Sequence, residues 1–130
     1  MSDQELRNFV DGEPVAALSG QTAPLIDPST GEVFAGAPVS GEADVDAAIQ
    51  AAARAFETWR HTTPSERSLA LLRIADRLEA RAGEFAEAES QNTGKPLGLT
   101  RSEEIPPMVD QIRFFAGASA AWRAGRRAST

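Results

Sequence analysis

The run Asp44-Val-Asp-Ala-Ala-Ile-Gln-Ala-Ala-Ala-Arg-Ala-Phe-Glu-Thr-Trp59, followed closely by Thr63-Pro-Ser-Glu66, decides the fold class. Val45, Ile49, Ala52, Phe56 and Trp59 recur at helical spacing, which predicts one apolar stripe on an amphipathic helix. Ser40 is the expected cap, and Glu42 and Asp44 suit the positive N-terminal end of that helix. Thr63-Pro64-Ser65-Glu66 reads as a capping box with proline at the first helical position, so a second helix opens there. Its apolar face is Leu71, Ile74, Ala75 and Leu78, widened by Leu69 and Leu72.

Downstream the pattern stays helical. Arg81-Ala-Gly83 reads as a break, and Glu84-Phe-Ala-Glu-Ala-Glu-Ser90 as a short third helix stopped by Gly94 and Pro96. Thr100-Arg-Ser-Glu103 resembles another capping box and predicts the start of a fourth helix, its first turns made irregular by Pro106-Pro107. Ile105, Met108, Val109, Ile112, Phe115, Ala116 and Ser119 are its expected inner side. Upstream the period drops to about two. Asp11-Gly12 is a tight-turn signal, and Asp27-Pro28-Ser29-Thr30-Gly31 is a second turn between short apolar segments. The expectation is an α+β chain, mainly α, with a small antiparallel β layer over residues 8–39 followed by four helices.

Composition narrows the function classes. A chain of 130 residues suits one domain rather than two. The net charge of −6 argues against nucleic acid, which demands clustered Lys and Arg to displace counterions. Arg123, Arg126 and Arg127 form the densest basic cluster and read as a ragged terminus. The sequence contains no cysteine, which excludes disulfides, thiolate nucleophiles and Cys-based metal sites within these residues. One histidine, His61, reads as a loop residue. No apolar run approaches the roughly eighteen residues of a membrane span. The polar, acidic start lacks the regions of a signal peptide, so a cytoplasmic location is expected.

Three ordered stretches carry a family resemblance. Phe9-Val-Asp-Gly-Glu13 with Ile26-Asp-Pro-Ser-Thr-Gly-Glu-Val33 resembles the opening strands and turn of the aldehyde dehydrogenase superfamily. The Asp44–Trp59 run with Thr63-Pro-Ser-Glu-Arg-Ser68 is similar to its first helix, Phe-x-x-Trp end and capped second helix. Glu87-Ala-Glu-Ser-Gln-Asn-Thr-Gly-Lys-Pro96 resembles its Gly-Lys-Pro element. Glu104-Ile-Pro-Pro-Met-Val-Asp-Gln-Ile-Arg-Phe-Phe-Ala-Gly117 most resembles the branch that oxidises betaine aldehyde and ω-aminoaldehydes such as 4-aminobutanal.

The resemblance implies that residues 1–130 are one incomplete domain, the lead-in to an α/β cofactor domain, with a β layer (8–39) and a helical segment (40–130). It implies an NAD-dependent parent enzyme, with an aldehyde as substrate and a homo-oligomeric assembly. The family's nucleophilic cysteine, general-base glutamate, oxyanion-holding asparagine and glycine-rich cofactor turn have no counterpart here. No catalytic or cofactor-binding residue is therefore assigned, and the chain is expected to be truncated and inactive alone. Two peripheral assignments follow from the resemblance. Pro107 matches a substrate-tunnel position, with Glu103 and Glu104 one turn away, where an acidic group would attract a cationic aminoaldehyde. The alternative role for those two carboxylates is to complement a helix N-terminus. The other assignment is a potassium site made by the backbone carbonyls of Leu25, Ile26 and Asn92, a donor set suited to a hard cation. Its alternative is a turn and a helix end with no ion. From a different functional class, a stand-alone helical module that binds a partner also fits the acidic composition and amphipathic stripes.

Overall fold

The computed structural model describes residues 4–121. The Arg123, Arg126 and Arg127 cluster and the segment after Ala121 lie outside the described residues. The chain divides into two compact units, residues 1–61 and 62–130.

Among the described residues, the first unit holds five short strands and one helix. Strands β2 (Asn8–Val10) and β3 (Glu13–Val15) form an antiparallel hairpin. Its two-residue turn places both Asp11 (φ 55°) and Gly12 (φ 84°) in the left-handed region, as the twist of a tight hairpin demands. A second sheet runs in the order β1 (Gln4–Glu5), β5 (Val33–Pro38), β4 (Thr22–Ile26). β4 and β5 are antiparallel, and the ladder shifts register between Leu25 and Ile26. β1 lies parallel to β5, an addition to the expected antiparallel layer that its two residues were too short to signal.

The β4–β5 turn is held by Asp27. Its carboxylate accepts from the Ser29 amide (2.8 Å) and hydroxyl (2.6 Å), while its carbonyl accepts from Gly31 N–H (2.7 Å). Those donors, the Ser29 hydroxyl first, hold the Asp27 carboxyl below its usual pKa.

Helix α1 spans Glu42–Trp59, and its cap is Gly41 rather than Ser40. Asp44 explains the difference. One of its oxygens accepts from Gly41 N–H (2.9 Å) and the other from Leu18 N–H (2.9 Å), so one carboxylate both caps the helix and fastens the preceding loop. The Ser40 hydroxyl instead accepts from Asn8 (2.8 Å). The expected apolar stripe exists on the helix but is not covered. Val45, Ile49, Phe56 and Trp59 are all exposed, and the residue that α1 buries is Ala51. Ala51 lies with Ala48 along the cleft between the helix and the β2–β3 hairpin. Small side chains there let the hairpin approach closely.

In the second unit, α2 (Pro64–Ala80) begins with the anticipated box. The Thr63 hydroxyl accepts from Glu66 N–H (3.2 Å), and the Glu66 carboxylate accepts from Thr63 N–H (2.6 Å). α3 runs over Ala82–Thr93, two residues earlier and three later than expected. Gly83 therefore lies inside the helix, where its backbone needs no special conformation. Gly94, at φ 75°, forms the left-handed cap.

Thr100-Arg-Ser-Glu103 does not start a helix. Helical backbone begins at α4 (Leu97–Leu99), passes through a π turn (Thr100–Glu104) and continues as α5 (Ile105–Ala121). Thr100 is thus interior, and its buried hydroxyl donates to the Pro96 carbonyl (3.3 Å) instead of capping. Ile105 N–H reaches back five residues to the Thr100 carbonyl. The cause is Pro106-Pro107, which supply no N–H and crowd the preceding turn, so the ladder widens just before them. Counted as rods, the helices among the described residues are four, because α4, the π turn and α5 are continuous.

The core of this unit joins α2, α3 and α5. Ala75, Leu78, Ala86, Ile105 and Val109 are buried together, with Ala82 and Ile112 against them. The predicted inner face of α5 holds at Ile105, Val109, Ile112 and Ala116. It fails at Met108 and Phe115, which are exposed, as are Leu69, Leu72 and Ile74 on α2.

Candidate functional site

The second unit brings its chemistry-bearing side chains together where α3 ends and the π turn begins. Gly94 turns the chain out of α3, and Pro96 opens the next helical run, leaving Lys95 between them. Its ammonium donates to Glu89 (3.2 Å) on α3 and to Glu104 (3.0 Å) on the π turn. The Ser90 hydroxyl donates to the Lys95 carbonyl (2.6 Å), and Thr93 bonds back to Glu89 (2.7 Å). Paired with Glu104 and then Glu89, the Lys95 ammonium has its pKa raised. Lys95 therefore tethers a helix end.

The three expected tunnel residues differ in what they have left to offer. Glu104 is half-buried and neutralised by Lys95. Glu103 is exposed and, among the described residues, accepts only a 3.3 Å contact from the Ser102 hydroxyl. Pro107 is exposed on the first turn of α5. Because the helix starts at Leu97, neither carboxylate sits at a free helix N-terminus, which removes the dipole role considered for them. The π turn also alters the angular spacing, so Glu103 and Pro107 do not stack as they would on a regular helix.

The residues expected to offer carbonyls to potassium belong to different units. Leu25 and Ile26 flank the register shift of β4, where the ladder is interrupted. Asn92 is in the last turn of α3, and the residue four positions on is Pro96, which has no N–H to give its carbonyl.

Two ion-pair clusters were not anticipated. Arg113 on α5 donates to Glu79 (2.6 Å) and Asp76 (3.1 Å) on α2, which ties the two main helices across their packed faces. Arg101 reaches Glu87 (3.2 Å) from the π turn to α3. Charges on neighbouring helices carry no local sequence signal. Only the packing of α2 against α5 and of the π turn against α3 reveals them.

These features define a class: a small β layer and a helical scaffold, fastened by ion pairs. The chain belongs to the aldehyde dehydrogenase family, whose pattern it matches over residues 15–129. It is 45% identical over 114 residues to human 2-aminomuconic semialdehyde dehydrogenase, covering 88% of this chain and 23% of that protein. The structure of HpcC from Thermus thermophilus superposes with a TM-score of 0.88 at 35% identity, covering 92% of this chain and 23% of that one. The NAD+ complex of an aldehyde dehydrogenase from Bacillus cereus superposes with a TM-score of 0.84 at 34% identity, covering 88% and 24%. The chain thus spans about a quarter of the length of these relatives.

The N-termini of α1 and α2 do not fit a dinucleotide's pyrophosphate. Such a site needs a glycine-rich turn that delivers pyrophosphate to a free helix N-terminus. Here the N-terminus of α1 is taken by the Asp44 carboxylate and that of α2 by the Glu66 carboxylate. Both carboxylates would repel a phosphate. The Glu66 carboxyl is held below its usual pKa by the Thr63 amide and then its hydroxyl, so it is ionised at neutral pH.

Proposed function

We propose that residues 1–130 are the leading part of one incomplete domain of an NAD-dependent aldehyde dehydrogenase, supplying framework and not the reacting groups. Family membership over residues 15–129 carries this reading. Oxidation of an aldehyde by this family's route needs a thiolate to attack the carbonyl and a base to activate water. The sequence has no cysteine for the first step, and the N-termini of α1 and α2 are closed to a cofactor's phosphates. NAD supplies hydride acceptance in the whole enzyme, and the residues that hold it would come from beyond this segment.

The finer proposal concerns substrate charge. Glu103 is an exposed carboxylate close in sequence to Pro107, whereas Glu104 is spent on Lys95. Glu103 alone is then the group that would favour a cationic aminoaldehyde such as 4-aminobutanal or betaine aldehyde at a tunnel mouth. Potassium on the carbonyls of Leu25, Ile26 and Asn92, and assembly of the whole enzyme as a homo-oligomer, belong to the same proposal.

Two assays test it. The purified chain should give no NAD reduction with 4-aminobutanal or betaine aldehyde, and measurable turnover would refute the framework role. In a full-length relative carrying this segment, Glu103→Gln should raise KM for 4-aminobutanal a few-fold and leave acetaldehyde unchanged. Equal effects on both aldehydes would remove Glu103 from substrate selection. A second reading, a partner-binding helical module, is favoured by the uncovered stripe Val45, Ile49, Phe56 and Trp59 on α1.

A further inference from the structure

The second unit carries a groove of about 540 Å³ that takes no part in the Lys95 cluster, lined by Arg73, Ile74, Arg77, Leu78, Arg81, Phe85 and Met108. Its volume is in the range of small-molecule sites, about 300–1,000 Å³. Its floor is almost wholly apolar, made by Ile74 and Leu78 of α2, Phe85 of α3 and Met108 of α5. Ile74, Phe85 and Met108 are exposed there.

The rim is equally one-sided. Arg73 and Arg77 follow one another at single-turn spacing on α2 and Arg81 caps its end, a row of about 12 Å at 1.5 Å per residue. Arg81 is committed, being paired with Glu84 (2.7 Å) and lying 5.7 Å from the centre of the Phe85 ring. Among the described residues, Arg73 and Arg77 have no ion-pair partner. A cationic row is unusual on a chain of net charge −6, and here it borders a surface that offers hydrocarbon contact and scarcely any hydrogen-bonding groups.

We propose that this groove binds a free medium-chain carboxylate. The hydrocarbon body lies on Ile74, Leu78, Phe85 and Met108, and the head group pairs with Arg73 and Arg77. An apolar floor selects a tail with no polar atoms, since any such atom would lose its water without gaining a partner. The guanidinium pair selects a planar anion, which it can meet with two parallel donors, and rejects a cationic head. The site is independent of the aldehyde dehydrogenase reading, because no residue of the tunnel or potassium assignments contributes to it.

The test is methyl NMR on the full 130-residue chain, titrated with decanoate below its micelle concentration. Saturable shifts of the Ile74 and Met108 methyl signals are expected, with Ile49 on α1 unmoved. Octanoate should bind more weakly, by up to about fourfold for each methylene lost from the groove. Decyltrimethylammonium, with the same tail and opposite head charge, should bind at least about tenfold more weakly than decanoate. The R73Q/R77Q variant should lose decanoate affinity by a similar factor while keeping its helical circular dichroism. Should that variant unfold, Met108→Glu carries the same test by placing a like charge in the floor. Equal binding of the carboxylate and the ammonium would overturn the proposal, as would shifts spread evenly to Ile49 or unchanged affinity in the arginine variant.

Discussion

Replacing Ile105 by alanine isolates what holds the second unit together. Ile105 is 5% exposed and sits in the cluster with Ala75, Leu78, Ala86 and Val109, at the first residue after the π turn. The truncation removes apolar burial and leaves a void that rigid neighbouring helices fill only in part. Such changes cost about 2–4 kcal/mol at buried isoleucine. Phe115 lies on the same helix but is 61% exposed, and its edge-to-face contact with Phe114 (5.4 Å) is itself at the surface. Phe115→Ala should cost no more than about 1 kcal/mol. Native-state hydrogen exchange reads the difference helix by helix. In Ile105→Ala, amides of both α2 and α5 should exchange about 30- to 1,000-fold faster, at one decade per 1.4 kcal/mol. Phe115→Ala should change them less than about tenfold. Equal acceleration by the two variants would refute the assigned inner face. Acceleration confined to α5 would refute the shared α2–α5 core.

The two units, each with its own contacts, should unfold in separate steps. In a Trp122→Phe background, Trp59 fluorescence in the first unit should follow a urea midpoint different from that of far-ultraviolet circular dichroism, and coincident transitions would contradict this. Gly94→Ala should destabilise by about 1–2 kcal/mol, because φ 75° is costly for any residue with a Cβ. Gly83→Ala should be neutral or stabilising in the same thermal melt, since its added Cβ meets only the far end of the Arg101 side chain at 3.8 Å. Stability should also fall on the acid side. The carboxyls of Asp27, Glu66, Glu79 and Glu84 all have folded pKa values below their ordinary 3.8 or 4.5. Their contribution is complete above those ordinary values and disappears as pH drops through the lowered ones, so a Glu66→Gln chain should show a shallower acid limb in denaturation.

What the sequence disclosed was local. Thr63 and Glu66 lie three residues apart and need nothing else to form their box, so the start of α2 was legible to the residue. Asp11-Gly12 was legible for the same reason. Ser40 was misread because the competing acceptor, Asp44, is bound at once to Gly41 and to Leu18, a contact twenty-six residues away. Thr100 was misread because a Thr-x-x-Glu spacing cannot tell a cap from an interior turn, and the preceding Pro96-Leu97 already supplies the start. The periodicity of α1 correctly marked one apolar stripe but carries no information on what covers it. At the proposed tunnel position, the sequence placed Glu103 and Glu104 on equal terms. Only the Lys95 bridge distinguishes them.

The π turn at Thr100–Glu104 has a consequence for how this segment compares with its relatives. A wide turn is the trace of one residue added to a regular helix, absorbed by a local bulge instead of being passed along the rod. Removing a single residue between Arg101 and Glu103 should therefore leave a continuous α-helix, with the segment before it in nearly its present rotational phase relative to α5. Lys95 would stay within reach of Glu104, and the Ile105–Val109 face would stay seated. Alignment by sequence will tolerate a gap there without penalty, because the two sides of that gap keep the same rotational phase.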